Sequence, residues 1–275
     1  MCWVAGVDEV ASETQISEGW TYAAFPDVAI AAIDSAVSGC SVKTFHGKKF
    51  KKAQEADYET FLAAVRNELL QHQNSFLTFT LLETSWKSDF LGFASRLITG
   101  GIQGAGVNDP DALSIANHLF PGLATFQRLT CCINLPAIDI EIDSDDISKK
   151  LAQSSISAKG KSIPVAKLLG WAYEAYRKQQ FPTSPALGTR GIQALSDAKS
   201  RVIQVADVFG NFALSYIFIQ LGDTSKTRKV KAEIFERVFS SEITPGPILG
   251  AAKLSGPSGN DIELTQPGGL TLRLG

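Results

Sequence analysis

The chain opens on an apolar run that ends in charge. Residues 2–9 (CWVAGVDE) predict a short strand that delivers an acidic pair, Asp8 and Glu9, to its C-terminal end. Trp20–Phe25 predicts a second strand. Pro26-Asp27 then opens a small-residue helix that runs through Val37 and is closed by Gly39. Residues 41–50 read as a third extended segment. Over 55–73, Tyr58, Phe61, Leu62, Val65, Leu69 and Leu70 recur at three- and four-residue spacing and predict an amphipathic helix. Phe76–Leu82 predicts a strand. Helices are expected at 86–98 and at 111–119, the latter after Asn108-Asp109-Pro110. Ala137–Asp143 alternates strictly, with Ile138, Ile140 and Ile142 on one face of a strand and Asp139, Glu141 and Asp143 on the other. Further helices are predicted at 147–153, 165–178, 202–221 and 231–239, with a Pro-, Ser- and Thr-rich loop at 181–190. From 241 onward Gly and Pro punctuate short apolar runs, which predicts a tail or hairpin (241–275) appended to one main domain (1–240). No solenoid-period repeat is present. Strands come first and helices intervene, so the class is α/β with a mixed sheet flanked by helices and a C-terminal appendage.

Composition narrows the classes. The chain has 275 residues, 44% of them hydrophobic, and a formal net charge of −2, which is enough apolar material for a large core and far from disorder. That charge argues against a broadly basic nucleic-acid coat and leaves room for a local basic rim. The four cysteines form no CxxC, and three histidines are too few for most zinc patterns, so the cysteines are expected to be buried, reduced thiols. The opening residues lack the features of a signal peptide, and no apolar stretch reaches the roughly 18–20 residues that span a bilayer. The expectation is a cytoplasmic protein without a membrane association.

The acids are the informative group. A two-metal phosphodiesterase needs carboxylates from separate elements, because one element cannot surround two hard cations about 3.5–4 Å apart. The chain offers Asp8 after the first strand, the 139/141/143 face of a later strand, Asp207 within a helix and Asp197 just upstream of it. Asp207 sits in the apolar stretch VIQVADVFGNFAL, where a carboxylate is costly unless paired or metal-bound. The 139/141/143 face also reads as a solvent-facing strand surface. Lys48, Lys49, Lys51 and Lys52, with His46 beside them, form one basic cluster, and Lys226, Arg228, Lys229 and Lys231 another; either can neutralise phosphates or be a solvated loop. Of the three histidines, His46 is the one placed near a site. The glycines of TGGIQGAG follow a helix rather than a strand and lack a GK[ST], so they read as a loop. Trp171, Tyr173 and Tyr176 share one helix at core-packing spacing, and no GxSxG elbow is present.

Two of these segments resemble the family known as domain of unknown function 3800, whose members look like ribonuclease-H-like nucleases and often occur near phage-defence genes. That family opens with a strand ending Asp-Glu-Ser-Gly; here it ends Asp8-Glu9-Val10-Ala11. It closes with Leu-Gln-Leu-Ala-Asp-Leu entering a helix; here the segment is Val202-Ile203-Gln204-Val205-Ala206-Asp207-Val208. The family's early Glu-Leu-Lys or Glu-Leu-His element resembles Thr44-Phe45-His46, with Thr44 in place of the Glu, and AIDIEID is similar to its middle strand. The resemblance implies a ribonuclease-H-like fold and a Mg²⁺ or Mn²⁺ site. Its ligands would be Asp8, Asp139 or Asp143, and Asp207, with Glu9 or Asp197 as a secondary ligand or water-positioning group. Asp8, Asp139, Asp207 and Glu9 are the candidate catalytic residues, and His46 with the four lysines the candidate nucleic-acid contacts. The implied activity is hydrolysis of RNA or DNA. Thr44 and Val10-Ala11 leave a second expectation open, a non-catalytic subunit that binds nucleic acid or a protein partner in a defence complex.

Overall fold

The computed structural model describes residues 2–11, 17–72, 74–83, 119, 122–124, 126–127, 129–131, 135–143, 155–158, 161–220, 222–239, 249–255 and 261–265. The helices expected at 86–98 and 147–153, and all but the last residue of 111–119, lie outside them.

The period-2 segments pair as one sheet. Its strands are β1 (Trp3–Ala11), β2 (Ser17–Pro26), β3 (Phe76–Glu83), β4 (Ile138–Asp143), β7 (Leu187–Leu195), β8 (Leu249–Ser255) and β9 (Asp261–Thr265). The order is β7-β4-β1-β2-β3-β8-β9, and a separate hairpin joins β5 (Ser155–Ala158) to β6 (Lys161–Pro164). β1, β2 and β3 form an antiparallel meander, while β4 lies parallel to β1 and β7 parallel to β4. An antiparallel three-strand start extended by two parallel strands on the β1 side is the ribonuclease-H-like arrangement, and β1 is its middle strand. β8 runs parallel to the far edge strand β3 and pairs antiparallel with β9, so the Gly- and Pro-rich appendage adds two strands to the main sheet.

Strand alternation divides the core into two layers. Trp3, Ala5 and Val7 of β1 and Ile138, Ile140 and Ile142 of β4 pack against Leu123, Phe126 and Leu129 and against α3 (Val165–Gln180). The opposite face, with Val4, Ala23, Phe25 and Leu77, is covered by α1 (Asp27–Ala36), α2 (Glu55–Gln71), α4 (Arg201–Gln220) and α5 (Lys226–Val238). α4 lies directly on β1: a Cβ on Gly6 would sit 2.3 Å from the Val202 carbonyl oxygen, so only glycine permits this approach.

Some sequence expectations change. Residues 41–50 form an irregular segment rather than a strand. The predicted loop at 181–190 contains the start of β7, whose register against β4 shifts between Ile138 and Ile140. Gly191, at φ +70°, and the extra residues of this bulge disguised the strand. α5 starts five residues earlier than its apolar spacing suggested, because Ser225 accepts the Arg228 amide as an N-cap. Tyr173 and Tyr176 are core residues, whereas Trp171 is 50% exposed. Cys40 is buried and Cys2 is exposed. Among the described residues no helix is long and apolar enough to cross a membrane.

Candidate metal centre

The parity of β1 and β4 decides which acids can meet. In the parallel register Val4 stands beside Asp139 and Gly6 beside Glu141, so Asp8 and Asp143 end the pair together on the face that α4 covers. α4 starts over this row: Val202 rests on Gly6, and Ser200 Oγ donates to Glu141 Oε2 at 2.6 Å. From there the helix runs toward the strand ends and carries Asp207 to Asp8. Burial and neighbouring charge act on both carboxyls. Asp8 is pushed well above the usual carboxylate range by burial, then by the charges of Asp207 and Asp143, against the opposing effects of Lys48 and a backbone hydrogen bond at Glu9. Asp207 is pushed up to about 6, again chiefly by burial, with Asp143 and Asp197 adding to the rise and the Gly47 N–H and Lys48 opposing it.

A loop between α1 and α2 closes the site, held by three anchors. Gly47 N–H donates to Asp207 Oδ2 at 2.9 Å, and a Cβ at Gly47 would sit 2.3 Å from that of Asn211. Tyr58 brackets His46, its hydroxyl donating to the His46 carbonyl at 2.8 Å and accepting the His46 N–H at 3.1 Å. Gln204 serves two segments: its Oε1 accepts the Phe45 N–H at 3.1 Å, and its Nε2 donates to the Asp197 carbonyl at 2.5 Å. The outcome is that His46 Nδ1 contacts Asp197 Oδ2 and lies 3.8 Å from Asp207 Oδ2. Ligand atoms of His46, Asp197 and Asp207 all fall within 4.8 Å of one another. Burial lowers the affinity of His46 for a proton, Asp197 works against this, and Lys49, whose Nζ is 3.4 Å from Nε2, works with it.

The donor set suits a divalent cation. Asp143 and Asp207 add to the rise at Asp8, Asp143 and Asp197 to the rise at Asp207, and hard oxygen ligands concentrated in this way suit a divalent cation such as Mg²⁺ or Mn²⁺.

Not every candidate acid joins them. Asp139 lies about 13 Å back along the sheet from Asp8, at ~3.3 Å per residue over the four residues from Val4. Its carboxylate is buried and accepts the Arg190 and Gly191 amides at 2.8 and 3.1 Å and Arg190 Nε at 3.1 Å. It therefore holds the β7 bulge, away from Asp8 and Asp207. Glu9 alternates to the face opposite Asp8. The 139/141/143 row is not a solvent-facing surface, since Asp139 and Glu141 are both buried. Lys48, Lys49, Lys51 and Lys52 are exposed just beyond His46 and Gly47. Lys231 is instead only 7% exposed, with its Nζ 2.6 Å from Asn211 Oδ1 and against the rings of Phe50 and Phe212. His46 was expected on the basic rim and stands in the acidic group. Its distance in sequence from Asp197 and Asp207 hid that role.

No protein-family model matches the chain, and no curated protein matches it. Among solved structures, the ribonuclease H2 from Pyrococcus horikoshii OT3 is similar over 86% of this chain and 99% of that one, at 14% identity and a TM-score of 0.34.

Proposed function

We propose that this chain is a divalent-metal-dependent nuclease that hydrolyses phosphodiester bonds in RNA or DNA. The reading is carried by one observation: carboxylates from β1, β4 and α4 (Asp8, Asp143 and Asp207) share one face of a ribonuclease-H-like sheet and act on one another's charge, beside the His46, Asp197 and Asp207 ligand atoms that fall within 4.8 Å of one another. Asp8, Asp143 and Asp207 would hold Mg²⁺ or Mn²⁺, with Asp197 beside them. When bound, the cation supplies Lewis-acid stabilisation of phosphoryl charge and lowers the pKa of a water.

The chain's own residues do the positioning. The Gly47 amide fixes Asp207, and Gln204 ties the Asp197 segment to the His46 loop. Lys48, Lys49, Lys51 and Lys52 offer phosphate contacts at the rim, so substrate binding would weaken with salt. With a cation bound, a water would supply the nucleophile, so no side-chain nucleophile is called for.

The test is cleavage of labelled RNA and DNA in Mg²⁺ and in Mn²⁺, with a chelated control. Asp207→Asn should lower the rate at least about 100-fold, the upper range for disturbing a metal shell. Unchanged cleavage would remove Asp207 from the site. Thr44, where the resembled family has Glu, favours a second reading: a non-catalytic member would bind Mn²⁺ or nucleic acid and cleave neither substrate.

A further inference from the structure

We infer that His46 is a metal ligand, which makes its group with Asp197 and Asp207 a nitrogen–oxygen site that selects Mn²⁺ or another first-row transition ion over Mg²⁺. The inference rests on the nuclease reading and specifies its metal. The observation is the juxtaposition of His46 Nδ1, Asp197 and Asp207, whose ligand atoms fall within 4.8 Å of one another. Two ligands each about 2.1 Å from one cation stand roughly 3.0 Å apart at a right angle and roughly 3.4 Å apart at the tetrahedral angle. The 3.8 Å between His46 Nδ1 and Asp207 Oδ2 needs a small contraction, and the tighter His46 Nδ1–Asp197 Oδ2 contact an opening, to fall in that range.

The imidazole is built into this position. Tyr58 holds the His46 backbone from both sides, Gln204 holds the Phe45 amide, and Gly47 leaves the loop no room to shift on α4. The same Gln204 amide fixes the Asp197 carbonyl, so histidine and aspartate are presented as a pair. Asp207 then belongs to two unlike sets of groups: the carboxylates that end β1 and β4 on the same face, Asp8 and Asp143, and the His46–Asp197 pair. The first offers oxygen donors, which suit Mg²⁺ and Mn²⁺ alike. The second includes an imidazole, which Mg²⁺ takes poorly and Mn²⁺ or Zn²⁺ accept.

Untagged protein titrated with one and two equivalents of Mn²⁺ should show, by pulsed electron paramagnetic resonance, the ¹⁴N modulation of a coordinated imidazole. His46→Asp and His46→Asn should lose that modulation while still binding Mn²⁺, and their preference for Mn²⁺ over Mg²⁺ in competition should fall about 10–100-fold. Wild-type protein that binds Mn²⁺ without ¹⁴N modulation would overturn the assignment of His46 and leave the carboxylate site standing. Modulation that persists in both variants would likewise overturn it. No Mn²⁺ binding at millimolar concentration would overturn the nuclease reading along with it.

Discussion

Replacing Asp207 with Asn should make the metal-free protein more stable at neutral pH. The carboxyl sits at about 6 rather than the ordinary 3.8, so the folded state holds its proton more tightly than the unfolded state does. This sign is opposite to that of a salt-bridged aspartate. The group's stabilising contribution is complete below about pH 4, declines as pH rises from 3.8 to 6, and is gone above that. The difference corresponds to about 3 kcal/mol at roughly 1.36 kcal/mol per pH unit, and the side chain is only 15% exposed, so little is lost to solvent screening. Asn keeps an oxygen for the Gly47 amide but forgoes the charged character of that bond, about 1 kcal/mol. Asp207→Asn is therefore expected to gain about 1–3 kcal/mol at pH 8 in chelator and essentially nothing at pH 4. Urea denaturation at the two pH values measures both numbers. A variant no more stable than the parent at pH 8, or one whose gain is the same at pH 4, would show that Asp207 does not carry its charge at a cost.

Three other perturbations separate the scaffold from the site. Gly6→Ala places a methyl into the Val202 carbonyl, so it should cost about 1–3 kcal/mol in thermal or urea melts and weaken Mn²⁺ binding by displacing α4. Asp139→Ala orphans the Arg190 and Gly191 amides and leaves the half-exposed Arg190 guanidinium to Glu141 alone, and should cost about 1–3 kcal/mol while the Mn²⁺ affinity of the folded fraction stays as it was. Changing Lys48, Lys49, Lys51 and Lys52 together to Gln should flatten the salt dependence of nucleic-acid binding, read as the slope of log affinity against log salt; an unaltered slope would place the phosphate contacts elsewhere.

Periodicity revealed the elements whose faces are cleanly divided. α2 and β4 were legible because each buries one side against an apolar layer. β7 was not, since a bulge shaped by Gly191 and fastened by Asp139 breaks its alternation within a Pro- and Ser-rich stretch. Asp8 and Asp207 stood out as charges that apolar surroundings do not explain. The β4 acids were indistinguishable by pattern, because Asp139, Glu141 and Asp143 share one face. Only their register against β1 separates a bulge anchor, a Ser200 partner and a neighbour of Asp8. Gln204 and Tyr58 gave no chemical signal, since an amide and a phenol that hold backbone look like ordinary helix residues until the loop they hold is seen.

The placement of β1 between β2 and β4 has a consequence for the order of assembly. Asp8 is made well before its partners, Asp143 on the adjoining strand and Asp207 on the helix that caps it. Parallel pairing of β1 with β4 must wait for the whole intervening chain, and the docking of α4 on Gly6 for a longer stretch still, so these contacts close loops that form slowly. A nascent chain carries the first acid long before a cation could be gathered by all three. The group of carboxylates would thus be completed in one step, when α4 docks on β1, and fragments ending before α4 would lack Asp207 and bind a cation only weakly.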